Sequence, residues 1–447
     1  MNGRGLYQRR SDILCTDFTK LTTQARKVTM RPMHHNISPH VYVAATLGTA
    51  LSFFALFMQW GFQPDYFYLP ILALAAIYGL INLVHQGKGL SDFCIETRPD
   101  FASLLRRALA RYLVWLPIIY IAAHAYRMVP YYNSEETQPA LFFFDMLLKL
   151  YLVGGMPYFL ITLAIKSSRV EDFYDPAVRI IHMIKQTLYR VLLRKDRLSL
   201  LQVFKKRYNR KVLLNLVMRA YFIPIMVSQV NVMLNQSVLS TANHFNDFSL
   251  LTVLFWLAAM LWLCDVINAS VAYGIESRWL ENRTRSIDLS ITGWAVCLFC
   301  YYPLNNITGS LLPFAYTVVN NDPSSLLVPE LGFLYGVKIL EISLLALHVY
   351  IDVSLGTSVA NISLKKLQTT GPYGVVRHPG TTTKLAFWLL ISAGYSAFWS
   401  WPIILGQLAW SALYIGRALT EERHLRQHQE YREYMKKVRY RFIPGLF

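Results

Sequence analysis

Along this 447-residue chain, apolar residues gather into long blocks separated by short polar stretches. Ten blocks stand out, at 41–62, 66–85, 109–127, 141–165, 213–234, 249–274, 289–313, 331–358, 385–398 and 402–420. Several reach the roughly 20 residues that a helix needs to cross a bilayer. Because every backbone polar group must be satisfied internally in lipid, such blocks predict helices. The expected fold is all-α: a polytopic integral membrane protein with about ten transmembrane helices. Block nine holds only about fourteen apolar residues before Ser400-Trp401-Pro402, which predicts a short or tilted hairpin with block ten.

The polar stretches alternate in charge. Arg4, Arg9, Arg10, Arg26, Lys27 and Arg31 precede block one, Lys88, Arg98, Arg106 and Arg107 follow block two, and 166–212 is the most basic stretch. The stretches 128–140, 235–248 and 314–330 are nearly free of Lys and Arg. Basic residues stay on the cytoplasmic side, so ten crossings with both termini cytoplasmic satisfy every loop. Composition agrees: 54% of residues are hydrophobic, 16% are charged, and the mean hydropathy is +0.31. A net charge of +18 would suggest nucleic acid in a soluble chain. Here the charge is sorted by side, so anionic lipid is the expected partner and nucleic acid is not. The polar, basic first forty residues lack the apolar core of a cleavable signal peptide.

Five regions follow. They are a basic N-terminal region (1–40), a four-helix membrane segment (41–165), a basic cytoplasmic region (166–212), helices five to seven (213–330), and a membrane core with its tail (331–447). Within 176–211, Val178, Ile181, Ile184, Leu188 and Leu192 recur at helical spacing between basic residues, which predicts an amphipathic helix on an anionic leaflet. Cys297-x-x-Cys300 lies in an apolar block with no second pair, so no metal site is expected; His34-His35 likewise has no companion ligands.

The chemistry concentrates near the C-terminus. Gly371-Pro372-Tyr373-Gly374 and Arg377-His378-Pro379 precede the last hairpin, and Glu421-Glu422, Tyr431-x-x-Tyr434 and Tyr440-Arg441 follow it. A hairpin would bring Arg377-His378 and Glu421-Glu422 to one side of the bilayer. Glycines allow close backbone approach, and prolines stiffen the turn. Irregular polar backbone at that depth is tolerated where it lines a cavity. A carboxylate pair suits an ammonium, a guanidinium suits a carboxylate bidentately, and His378 suits ligand contact or proton transfer.

That order of motifs resembles the intramembrane isoprenylcysteine carboxyl and phospholipid methyltransferases, and more weakly the sterol reductases, over roughly the last quarter of the chain. The resemblance implies S-adenosylmethionine as cofactor, held by Gly371, Pro372, Tyr373, Gly374, Arg377, His378, Glu421 and Glu422, and a lipid or lipid-linked acceptor. Three departures stand out: Thr381 where the family has an aromatic, Gly374 where it often has Arg, and a shorter interval between Leu425 and Tyr431.

Block eight adds polar groups of its own. Lys338, Glu341, His348 and Asp352 fall within an arc of about 80° on one helix face. Such a face lines a cavity, with Glu341 and His348 as candidate catalytic groups beside Arg377 and His378, or it closes on itself as Lys338–Glu341 and His348–Asp352 pairs. Asp265, Asn268 and Glu276 share a face of block six, Asn305-Asn306 after Pro303 suggest a broken helix in block seven, and Arg219 reads as a snorkelling residue. The expected activity is S-adenosylmethionine-dependent methyl transfer. The alternatives are a sterol-reductase-like NADPH enzyme, a non-catalytic membrane scaffold, or a transporter.

Overall fold

The computed structural model describes residues 37–86, 100–164, 175–194, 203, 205–244, 249–277, 280 and 282–446; the side chains of 64 and 189–194 are excepted. Residues 1–36, with His34-His35, and the basic residues Lys88 and Arg98 lie outside the described residues. The protein is an all-α polytopic membrane protein. In chain order the helices are α1 (Pro39–Trp60), α2 (Leu69–His85), α3 (Phe101–Ala125), α4 (Pro139–Ala164), α5 (Pro176–Arg194), α6 (Arg207–Asn231) and α7 (Leu250–Gly274). They continue with α8 (Ile291–Leu298), α9 (Leu304–Leu311), α10 (Leu331–Ser354), α11 (Pro379–Ser392), α12 (Trp401–Leu425) and α13 (Gln429–Lys437). Two-residue strands β1 (Ser286–Ile287) and β2 (Ser363–Leu364) pair antiparallel.

Seven helical stretches among the described residues are long and apolar enough to cross a membrane. The three other expected crossings fall short for visible reasons. Helix α2 has 17 residues, block seven divides at Pro303 into the eight-residue helices α8 and α9, and α11 has 14 residues. Helix α6 is longer than expected, because a π-helical turn (Val232–Leu239) carries it on to Ala242.

The chain divides into two compact units. One draws on Gln86–Ile119 and Lys149–Val203. Its centre is the packing of Leu104 and Ala108 of α3 on Leu163 and Ala164 of α4. The Tyr112 and Tyr151 rings stack at 5.2 Å. A Cβ on Gly155 would lie 3.2 Å from Tyr112, so the small residue permits that stack. Asp175 caps α5 by accepting from the Ala177 amide at 2.9 Å and pairs with Arg111 at 2.6 Å. The amphipathic helix expected over 176–211 is described over Pro176–Arg194, residues 195–202 lying outside the described residues; Arg207, Arg210 and Lys211 belong to the first turns of α6.

The other unit comprises Ile37–His85, Tyr120–Leu148 and Phe204–Phe447. Helix α7 is its centre, packed against α6, α10, α2 and α1. Several of the polar groups within it are paired, which offsets the cost of burying them. Tyr78 donates to Asn268 Oδ1 at 2.8 Å and lies 2.6 Å from Thr46 Oγ1. Arg219 corrects the snorkelling expectation: it forms an ion pair with Glu276 and donates to the Tyr273 carbonyl at 3.2 Å. The face read from Asp265, Asn268 and Glu276 therefore does not act as one, since Asn268 meets Tyr78 and Glu276, past the end of α7, meets Arg219.

Helices α10 and α11 run antiparallel. A Cβ on Gly380 would lie 2.7 Å from Asp352 Oδ1, and one on Gly394 would lie 3.1 Å from Val337. The α11–α12 connector then meets the loop that precedes α10: Tyr395 donates to the Asn320 carbonyl at 2.7 Å and Ser396 to that of Ser325 at 2.9 Å. Though short, α11 thus carries the chain from one end of α10 to the other. Arg377-His378 and Glu422 return to the same end.

Candidate functional site

The site is built at the start of α11. His378 is the N-cap residue and Pro379 opens the helix, where its missing N–H costs nothing. Ahead of it, the Gly371–Gly374 turn starts with Gly371 at φ +62°, where a Cβ would also lie 2.9 Å from Pro39. Glycine is required there to fit the turn against α1. Gly374 has no such demand. Tyr373 is fixed through its carbonyl, which accepts from Tyr434 at 2.6 Å.

The tail threads beside this turn. The Arg377 and His378 amides donate to the Tyr440 and Arg441 carbonyls at 3.0 and 2.8 Å, and Thr382 Oγ1 donates to the Phe442 carbonyl at 3.0 Å. Phe442 also sets its ring 5.7 Å from that of His378. An aromatic therefore reaches His378 from the tail, whereas Thr381 stands where the resembled family has one.

Glu422 is the hub, with 1% of its side chain exposed. Arg377 Nη2 lies 3.2 Å from Oε1, Arg426 Nη2 2.5 Å from the same oxygen, and Arg441 Nε 3.0 Å from Oε2. His378 Nε2 is 3.6 Å from Oε2, too far for a hydrogen bond. Arg377 Nη1 is held by the Val438 and Arg439 carbonyls at 2.8 and 2.6 Å. Three guanidiniums around one carboxylate leave the spot net positive. Arg426 and Arg441 were missed as site residues; the signals were present as the i,i+4 spacing from Glu422 and the Tyr440-Arg441 tail motif.

Glu421 differs from its neighbour, making no ion pair among the described residues. Burial first, and then the Asp352 and Glu421 carboxylates, push the Tyr373 phenol well above its usual range. Burial followed by Glu422 and Glu421 does the same to Tyr431. Both are neutral O–H donors at pH 7. Arg377 Nε, His378 Nε2 and the Tyr431 hydroxyl are buried without a hydrogen-bond partner. Orphaned polar atoms are costly, and three around one carboxylate mark a place suited to a polar ligand. The arrangement offers a cationic side (Arg377, Arg426, Arg441) and an anionic side (Glu421, Asp352), a match for a zwitterion.

The block-eight residues do not all join this set. Lys338 Nζ and Glu341 Oε2 pair at 2.9 Å, and Tyr316 donates to Glu341 Oε1 at 2.6 Å. That cluster sits eleven residues, about 16 Å of helix, from Asp352, toward the far end of α11. His348 Nε2 lies 3.5 Å from Asp352 Oδ2, and its Nδ1 is 3.1 Å from Thr383 Oγ1. The Lys338–Glu341 pair is thus formed, whereas His348 Nε2 approaches Asp352 without a hydrogen bond, and only His348 and Asp352 adjoin the α11 start. No three His, Cys, Asp or Glu side chains gather as a metal ligand set among the described residues. Compared with models of known protein families, with curated proteins and with solved structures, the chain finds no match.

Proposed function

We propose that this protein is a membrane-embedded methyltransferase that uses S-adenosylmethionine to methylate a lipid or lipid-linked acceptor. The supporting observation is the Glu422 hub. Two motifs 45 residues apart converge there with buried polar atoms left over and with opposite charges side by side. The residues fit the donor's chemistry. Arg377 would take its carboxylate, Glu421 its ammonium, and Tyr373 and Tyr431 would donate to its polar atoms. Glu422, surrounded by guanidiniums, would hold Arg377 in place rather than meet the ammonium. The donor supplies an electrophilic methyl group.

The chain's own task is to position and shield the reactants. His378, capping α11 with Phe442 beside it, would contact the donor or accept a proton from the acceptor. His348 with Asp352 and Thr383 would face the acceptor arriving along α10 and α11. Glu341, closed off by Lys338 and Tyr316, would have a structural part. Exposed Ile184 and Leu188 on α5 favour contact of that helix with an anionic leaflet. The same excess of guanidiniums is what a sterol-reductase-like enzyme would use for the phosphates of NADPH. Calorimetric titration of the purified protein with each cofactor separates the readings. Binding of S-adenosylmethionine and not NADPH is expected. The reverse would transfer the assignment to a reductase, and binding of neither would favour a scaffold or transporter.

A further inference from the structure

Beside the Glu422 hub, on another side of α12, lies a cleft of about 430 Å³ that the proposed methyl transfer does not use. Its floor is β1 and the loop after it; its walls are the first turns of α6 and the end of α12. Arg207 and Lys211 stand one helical turn apart, where like charges repel. Among the described residues, Arg207 is engaged only by a neutral group, donating to Gln427 Oε1 at 2.8 Å. Lys211 has no hydrogen-bonding or ionic partner among the described residues. Across the cleft, Arg423 Nη2 donates to Ser290 Oγ at 2.5 Å and Thr292 Oγ1 at 2.9 Å, and comes no nearer than 3.9 Å to Asp288. Asp288 is committed to the Ser290 amide and hydroxyl, each at 2.9 Å. At the floor, Ser286 Oγ lies 3.0 Å from His424 Nε2 and 2.7 Å from His428 Nε2.

Three fixed cations, two imidazoles and two hydroxyls thus face one carboxylate that is already occupied. Concentrating like charge around a polar recess is costly unless an anion offsets it. The N–H, ammonium and O–H donors are of the kinds that bind phosphate oxygens, with arginine supplying the planar fork. We propose that this cleft binds a phosphate group, carried either by a lipid headgroup or by a soluble molecule.

The test uses the full-length protein in phosphatidylcholine nanodiscs, titrated calorimetrically with inorganic phosphate at low ionic strength. Lys211→Gln and Arg423→Gln are each expected to weaken binding roughly tenfold, the loss of one charge-assisted hydrogen bond. Lys211→Arg should restore it. Lys436→Gln removes the same charge from the exposed face of α13 and should leave affinity unchanged. Should Arg423→Gln lower the folded yield, Ser286→Ala reads the floor of the cleft instead. Repeating the titration in discs that contain phosphatidic acid separates the sources. Suppression of the phosphate heat assigns the cleft to a lipid phosphate, and undiminished heat assigns it to a soluble one. Absence of phosphate binding together with no difference between the two kinds of disc would overturn the proposal. So would a loss in Lys436→Gln equal to that in Lys211→Gln. Affinity for S-adenosylmethionine should be unchanged in all these variants, so the two assignments stand or fall separately.

Discussion

The guanidinium of Arg377 and the carboxylate of Glu422 meet at 3.2 Å, although 45 residues and a helical hairpin separate them in the chain. That contact closes the α11–α12 hairpin at one end, as the Tyr395–Asn320 hydrogen bond fixes it at the other. Glu422 also gathers Arg426 and Arg441, so it neutralises charge brought by three segments.

Glu422→Gln should therefore damage the fold before it damages binding. Removing the carboxylate leaves the buried Arg377 guanidinium without its ionic partner and facing the more exposed Arg426 and Arg441, and breaking a buried pair costs roughly 3–5 kcal/mol. A lower unfolding temperature in detergent and a reduced folded yield are the expected result. A variant as stable as wild type would show that water, rather than Glu422, balances those cations.

Glu421→Gln should behave in the opposite way. Its carboxylate makes no ion pair among the described residues, so stability should hold. If it meets the donor's ammonium, affinity for S-adenosylmethionine falls roughly ten- to hundredfold, the equivalent of a charge-assisted hydrogen bond at about 1.5–3 kcal/mol. Calorimetry on the folded variant checks this, and unchanged affinity would remove Glu421 from the site.

How much of this was legible in the sequence follows from the range of each interaction. The apolar blocks declared the membrane helices, because hydropathy is a local property. The convergence of Arg377-His378 with Glu422 was readable because one hairpin connects them. The i,i+3 and i,i+4 pairs Lys338–Glu341 and His348–Asp352 could be enumerated from helical geometry, although the pattern alone left a cavity face equally open. Arg219–Glu276 was not legible, since two helices must first be packed before the partner is known, and a lone arginine near a helix start has the same local pattern as a snorkelling one. The near-equivalence expected of Glu421 and Glu422 dissolved for a similar reason: the tail that brings Arg441 could be placed only in three dimensions.

Lys338 and Glu341 give a test of the division between structural and functional polar groups. Glu341→Gln alone leaves Lys338 unpaired within α10 and should cost about 3–5 kcal/mol. Replacing both, as Lys338→Met with Glu341→Leu, should restore stability, since an apolar pair of similar volume commonly replaces a buried ion pair without loss. Unfolding measurements on the single and double variants check this. If the double variant is stable but loses turnover while still binding S-adenosylmethionine, Glu341 has a catalytic part after all.

Topology offers a parity test. With ten crossings, Asn133 and Asp322 lie on the same extracytoplasmic side, and Lys205 and Lys436 lie on the cytoplasmic side. If only the seven long helical stretches cross, two precede Asn133 and five precede Asp322, which puts these two residues on opposite sides. The relation between Asn133 and Asp322 turns on whether α8 and α9 together cross, whereas the antiparallel course of α11 along α10 bears only on the side of Lys436. Single cysteines at the four positions, labelled with an impermeant reagent in intact cells, decide the matter. Labelling of Asn133 and Asp322 positions together, and of neither lysine position, is expected.

The phosphate cleft carries a pH dependence whose sign follows from His428. Burial, and then Arg285, lower its pKa below the ordinary histidine value of about 6.5. The groups bearing on it are Arg207 and Lys211 from α6, Arg285 and Asp288 around β1, Arg423 and His424 from α12, and Glu430 and Arg432 from α13. Cations outnumber carboxylates on the α6 and α12 sides and equal them around β1 and on α13. In the folded protein His428 is therefore neutral at pH 7, while the unfolded chain takes up its proton first as pH falls. This group's contribution to stability is complete above about pH 6.5 and declines as pH drops through the lowered folded value. An anion in the cleft favours the imidazolium and so opposes that decline. Protonation of His428 should add to phosphate affinity as pH falls from neutrality, against the loss that phosphate's own protonation imposes, and should add likewise to the protection that bound phosphate gives against thermal unfolding at mildly acidic pH. His428→Gln should remove both contributions while leaving Lys211 and Arg423 to bind at neutral pH. A pH dependence of affinity identical in wild type and His428→Gln would show that this imidazole does not face the bound anion, since phosphate's own protonation acts on both proteins alike.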